Sequence, residues 1–403
     1  MLVYLQIGNK YYTLISDAVQ ALNEGDTLYI LAGNYTENLS INVKNVTVIG
    51  ELDSNNGDRL VTINGKLNVT ADGVSVKNLK VYSPSENITG YINAKDVLIE
   101  NCYVEGQRAF RNCYTTGLVT FKDSTITGQV YGIHFDGNAG GNIVIDNCVI
   151  TGWTSFAGTI EKVTISDTTF ENGNYNQLRF YQDAEMTNVQ FNPDMTIDFG
   201  KNSVSAEFNG CSVTDGSDLL SVIYLPDIVN MGVNVTVDGE KINILAMIGD
   251  ACYQTLTDAI AAANPGETIT IIGNINENVT VNKNLVIDGG NFEYTGTMSI
   301  NTSLKVTIQN VKFVKGSITE AKGTHGTLTI SGCEFDGVDN SIGYAISVRG
   351  ADKLVIESST AKNYSYGMLY VPSSVASISV KDVTVSHVAA AFNISYSGDA
   401  TFE

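Results

Sequence analysis

Two phrases hold the residue types that polar chemistry needs. "EGQRAFRNCY" (105–114) brings Arg108 and Arg111, and "YGIHFDGNAGG" (131–141) brings His134 and Asp136, an interval of about 25 residues. An acid, a base and a cation on one shared face are the minimum for breaking a bond in a sugar. Arginine is scarce, limited to Arg59, Arg108, Arg111, Arg179 and Arg349, so this is the densest polar neighbourhood of the chain. The second phrase also reads without chemistry. Ile133 and Phe135 alternate inward along a strand, a Gly/Asn turn follows, and His134 and Asp136 then sit on the surface between core residues.

Other chemistries find less. The six Cys, at 102, 113, 148, 211, 252 and 333, include no CxxC pair, so their spacing does not describe a zinc knuckle. A disulfide scaffold is not expected in a chain of 403 residues with 43% hydrophobic content. His325 and His387 have no carboxylate or Cys at ligand spacing, and no glycine-rich loop or Walker lysine motif offers a nucleotide site. With 43 acids against 23 bases the formal charge is -20, which disfavours nucleic acid and anionic membranes. No cofactor is expected; calcium is the one ion that acids and asparagines could carry. No apolar run reaches about 18 residues, so membrane insertion is not expected. The opening "MLVYLQIGNKYY" lacks the parts of a signal peptide.

The elements that would position these residues are repeats. "VSVKNLKV", "VLIENCYV", "VTFKDSTI", "IVIDNCVI" and "VTISDTTF" put Asn78, Asn101, Asp123, Asn147 and Asp167 at one place, spaced by 23, 22, 24 and 20 residues. A period of this size, built from β-branched alternation closed by Asn or Asp, is a solenoid signature. Leucine-rich repeats share the length but need recurring Leu and an intervening helix, which are missing. Asn101 and Asn147 are expected at the bend, where Asn tolerates a left-handed backbone and its amide can bond the neighbouring coil. Cys102, Cys148, Cys211 and Cys333 each follow that bend and are expected to be small, buried, unpaired core residues.

One phrase occurs twice. "YYTLISDAVQALNEGDTLYILAGNYTENLSI" begins at Tyr11, and "CYQTLTDAIAAANPGETITIIGNINENVTV" begins at Cys252. Ile15, Ala18, Val19 and Leu22 fall on one stripe of a short helix, and Leu256, Ala259, Ile260 and Ala263 repeat the spacing. An end coil exposes its core, so each helix is expected to be a lid, over about 16–24 and 257–264, with Ser16 or Asp17 capping the first. Two lids imply two modules, 1–240 and 241–403, with a closing or crossover segment at about 218–247.

The doubled phrase and the "VxIxN" coils resemble the pectate-lyase-like superfamily of right-handed parallel β-helices. The resemblance implies an all-β solenoid fold over most of the chain. It implies no single activity, because the superfamily includes lyases, hydrolases, esterases, adhesins and phage tailspikes. Its lyases use an Arg or Lys base beside Asp-held calcium, and its esterases use paired Asp with an Arg. No such motif transfers residue by residue, so Arg108, Arg111, His134 and Asp136 remain the candidates.

The expected function is therefore non-enzymatic: a structural or surface-display protein, foremost a phage virion component assembled in the bacterial cytoplasm. Its partners would be other virion or surface proteins or a host glycan, with homo-oligomers open. Exposed Tyr residues, as in "NYNQLRFYQD" (174–183), suit sugar stacking and outward strand positions alike. The alternatives are a polysaccharide lyase- or hydrolase-like enzyme, and an extracellular or cell-surface adhesin or carbohydrate-binding module.

Overall fold

The computed structural model describes residues 4–83, 87–136, 140–157, 159–301, 303–320, 326–373, 375–395 and 397–403, so His325 lies outside the described residues. The chain packs as two units, Met1–Ile242 and Asn243–Glu403. Each is a parallel β-solenoid, the architecture that the resemblance implied.

In the first unit every coil adds one strand to the same sheet in sequence order. Val97–Glu100, Leu118–Lys122, Gly141–Asp146, Ile160–Ser166, Asp183–Thr187 and Ser205–Asn209 pair in parallel. Register is kept by the hydrophobic alternation: Ile99, Phe121, Ile145, Ile165, Met186 and Phe208 stand opposite one another and are fully buried. A one-residue slip would turn all six to solvent.

The bends carry the expected asparagines. Asn78, Asn101, Asp123, Asn147 and Asp167 have φ of 63°, 49°, 49°, 49° and 46°. Asn101 donates from Nδ2 to Asn78 Oδ1 at 2.9 Å. Arg59 braces the same corner, donating from Nε and Nη2 to the Asn101 carbonyl and Oδ1 at 2.6 and 2.8 Å. Just past the bend, Cys102, Cys148 and Cys333 are buried and unpaired. The backbone N–H of each donates to a hydroxyl of the next coil, on Ser124, Thr168 and Ser359. Cys211 departs from expectation and is only half-buried. The adjoining strand Ser212–Val213 ends its sheet, paired on one side alone, so no further coil covers it. Cys113, not expected in the core, is fully buried.

Both units begin alike. In the first, Leu5–Ile7 pairs antiparallel with Lys10–Tyr12 and with Thr27–Ile30; in the second, Ala246–Ile248 does so with Ala251–Tyr253 and Thr268–Ile271. Helix α1 (Ile15–Gln20) buries Ile15, Ala18 and, just past its end, Leu22. Val19, expected in that stripe, lies at its edge and is half-buried. The first unit closes with a 3-10 turn at Leu219–Val222, helix α2 (Pro226–Asn230) and a hairpin of Asn234–Val237 with Glu240–Lys241. In the second unit, helix α3 (Leu256–Ala262) and its flank bury Leu256, Ala259, Ile260 and Ala263.

Capping of α1 also differs from expectation. Neither Ser16 nor Asp17 caps it; the Glu37 carboxylate reaches back from the strand region to accept the N–H groups of Ile15 and Ser16, both at 3.0 Å. In the second unit Glu277 accepts from Leu256 and Thr257 at 2.7 and 3.3 Å, and Thr255 Oγ1 accepts from the Asp258 N–H. The Glu of "YTEN" and "INEN" thus ties each lid to the coil beneath it, satisfying donors that a helix start leaves free.

Candidate functional site

Five strands of the first unit build the site: β1 (Tyr103–Cys113), β2 (Thr125–Phe135), β3 (Val149–Phe156), β4 (Gln177–Phe180) and β5 (Thr196–Phe199), paired in that order and parallel. Phe135, Phe156, Phe180 and Phe199 stand opposite one another and point inward. Their ring centroids step by 6.4, 5.9 and 6.2 Å. Each buried ring is worth about 1.5–3 kcal/mol of apolar transfer, so the ladder is a stiff backing. The residue before each Phe must face outward. Those residues are His134, Ser155, Arg179 and Asp198.

Irregularity brings further groups in. The β1–β2 register shifts between Gly106 and Arg108 and between Phe110 and Cys113, and the β2–β3 register shifts on both sides of Tyr131. Bulges of this kind re-aim side chains. Here they require backbone contact at Gly152, whose φ is +98° and whose missing Cβ would lie 2.5 Å from the Gly128 carbonyl oxygen. The result is a second outward group, Arg108, Tyr131 and Trp153, with Arg108 opposite Tyr131 and Tyr131 opposite Trp153.

The contacts are polar and aromatic together. Arg111 Nη1 donates to Asp136 Oδ2. His134 Nδ1 lies 2.5 Å from Asp136 Oδ1 and 2.5 Å from Arg111 Nη1. Arg179 makes a bidentate pair with Asp198, Nε to Oδ1 at 2.8 Å and Nη2 to Oδ2 at 2.6 Å. That hydrogen-bonded carboxylate pushes the Arg179 guanidinium above its ordinary pKa, so it stays a cation. The guanidinium carbons of Arg108 and Arg111 stand 5.5 and 4.5 Å from the Tyr131 ring centre, and that of Arg179 stands 5.9 Å from Trp153. Tyr131 and Trp153 pack at 5.1 Å, and His134 meets Trp153 edge-on at 5.8 Å.

The four candidate residues read from sequence therefore fall in one place, with Arg111, His134 and Asp136 in direct contact. The surface reading of His134 needs correction, because the residue is only 8% exposed and packed beside two aromatic rings. Sequence reasoning did not find Tyr131, Trp153, Ser155, Arg179 and Asp198. A signal existed: Arg111, His134, Ser155, Arg179 and Asp198 recur at intervals of 23, 21, 24 and 19 residues, the coil period itself. Among the described residues no group of three His, Cys, Asp or Glu is placed to hold a metal ion.

No protein-family model matches the sequence, and no curated protein matches it. Among solved structures, the PL6 family alginate lyase AlyGC aligns at 11% identity and a TM-score of 0.22, covering 92% of this chain and 79% of that one. A mutant of the same lyase aligns at 12% and 0.23 over the same shares. A likeness at that level carries nothing to the residues of the site.

Proposed function

We propose that the outer face of the first unit binds a carbohydrate chain bearing carboxylates. One observation carries this reading: three of the five arginines, the sole tryptophan and one of the three histidines converge on five adjacent strands. Aromatic rings supply apolar faces for sugar rings, and Arg108, which makes no ion pair among the described residues while Arg111 and Arg179 already hold Asp136 and Asp198, is the guanidinium left to take a ligand carboxylate in a fork geometry. The chain's formal charge of -20 opposes polyanions, so holding one requires cations at the point of contact, and this face carries three of the five arginines. A place in a virion, the foremost expectation from sequence, has no feature of the described residues in its favour. Cleavage of the bound glycan is the second reading, favoured by the His134–Asp136 contact.

Trp153 provides the test, since it is the only tryptophan. Oligouronates should change its fluorescence saturably, neutral malto-oligosaccharides should not, and Arg108→Ala should weaken binding about tenfold, the loss of one charge-assisted contact. No change with any oligouronate at millimolar concentration, confirmed by calorimetry, would sink the reading. Unsaturated-product absorbance and reducing ends, followed with calcium present, decide on cleavage.

A further inference from the structure

We propose that Ser155, His134 and Asp136 act as nucleophile, base and orienting acid in the hydrolysis of acyl esters, and that the group removed is an O-acyl substituent of the bound glycan. The choice of glycan rests on the reading above; the chemistry rests on the register.

Ser155 on β3 stands directly opposite His134 on β2, and both leave the outer face. Neighbouring strands lie about 4.8 Å apart, so a small rotation brings hydroxyl and imidazole together. Asp136 Oδ1 approaches His134 Nδ1 at 2.5 Å, while Asp136 Oδ2 is occupied by Arg111. Nδ1 faces both the Asp136 carboxylate and Arg111 Nη1, and the tautomer the reaction uses is the one with the proton on Nδ1, which donates to Asp136 and leaves Nε2 the lone pair that a general base needs. Ser166, an outward serine of the same coils, is by contrast tied down, its hydroxyl donating to Asp146 Oδ1 at 2.7 Å. The Ser155 hydroxyl has no hydrogen-bond partner among the described residues. The side chain is almost enclosed, but its oxygen keeps contact with solvent, whereas Trp153 Nε1 is shut off without a partner. On the other side, Arg179 stands opposite Ser155 and puts a cation beside the carbonyl that would be attacked.

The steps balance with water as the only co-reactant. Ser155 Oγ bonds to the ester carbonyl carbon as Nε2 takes its proton. The carbon–oxygen bond to the sugar breaks, and the sugar oxygen leaves with that proton. Nε2 then takes a proton from a water, whose oxygen bonds to the acyl carbon, and as the bond to Ser155 breaks that proton passes from Nε2 to Oγ. A carboxylic acid and the free serine hydroxyl result.

Three measurements on the intact protein test this. Acetate release from O-acetylated alginate should be catalytic, should exceed that from neutral acetylated xylan, and should fall about 100-fold or more in Ser155→Ala. A fluorophosphonate probe should label the wild type at Ser155 by peptide mass mapping, and should fail to label His134→Ala. Wild-type binding of oligouronates is followed separately. Protein that binds oligouronates but neither releases acetate nor takes the probe at Ser155 overturns the ester inference and leaves the binding reading standing. Labelling and acetate release without oligouronate binding uphold the ester chemistry and remove the reading beneath it. Undiminished release in Ser155→Ala overturns the assignment of the nucleophile.

Discussion

Asn147 donates its side-chain amide to Asp123 Oδ1 at 2.7 Å, one coil to the next, and both residues have φ of 49°. The same position is thus held by backbone conformation and by a hydrogen bond. Asn147→Ala removes the bond and leaves a Cβ residue in the left-handed region, an expected loss of about 1–2 kcal/mol. Asn147→Gly restores the backbone freedom and should cost less than Ala. Urea unfolding of the two variants checks the order. An Ala variant as stable as Gly would show that the ladder bond outweighs the conformation.

The thiols divide by burial. Burial pushes Cys102 up to about 11 and Cys113, Cys148 and Cys333 up to about 12, and it raises half-buried Cys211 and Cys252 less far. Thiolate is the reactive form. Titration with a disulfide reagent at pH 8 should find only Cys211 and Cys252 reacting, and slowly, in the native protein, and all six in denaturant. Fast native reaction at Cys102, Cys148 or Cys333 would contradict the coil register.

The lids should tolerate a charge unequally. Ile260 is 4% exposed, so Ile260→Asp buries a carboxylate against the first coil of its unit at a cost of about 3 kcal/mol or more. Val19 is half-buried, so Val19→Asp should cost about 1 kcal/mol. Thermal melts of the two variants, compared with wild type, test the asymmetry.

Glu37 makes the first lid pH-sensitive. Burial pushes its carboxyl up, but hydrogen bonds from the N–H groups of Ser16 and Ile15 outweigh burial and hold it below its ordinary value of 4.5. A carboxyl depressed in the folded state stabilises fully above its unfolded-state pKa and loses that contribution as pH falls through the folded-state value. Glu37→Gln should therefore be less stable than wild type by about 1 kcal/mol at pH 7, the scale of a lost helix cap. The gap should close as the pH drops below 4.5. Urea unfolding of both proteins across that range is the check, and a gap constant with pH would rule out the charge as its cause.

Within the site, Asp198 is the buried member of its ion pair, with a side chain 11% exposed against 32% for Arg179. Removing the cation strands a buried carboxylate, whereas neutralising the acid leaves a half-exposed guanidinium. Arg179→Met should thus cost about 2–3 kcal/mol and Asp198→Asn less, since Gln177 Nε2 can still donate to the Asn oxygen. Denaturation midpoints at one pH give the order.

Local rules made much of this protein legible from its residues alone. Strand alternation and Asn at a left-handed bend are properties of short segments, so the period of the phrases was enough to show a solenoid and to place Asn101 and Asn147 at its bends. The doubled phrase marked two lids because an apolar stripe on a short helix needs an open coil end to cover. Arg108, Arg111, His134 and Asp136 stood out by scarcity and by an interval of one coil. What the tertiary structure alone decided depends on coil lengths adding up. Intervals of 23, 21, 24 and 19 residues stack Arg111, His134, Ser155, Arg179 and Asp198 on one face only because insertions between strands are absorbed in bends and bulges. Glu37 reaches the start of α1 from 22 residues away, and a local reading assigns that cap to Ser16 or Asp17 instead. Cys211 repeats the sequence context of Cys148 but lies where its sheet ends, and burial is set by the neighbouring coil, which no single repeat contains.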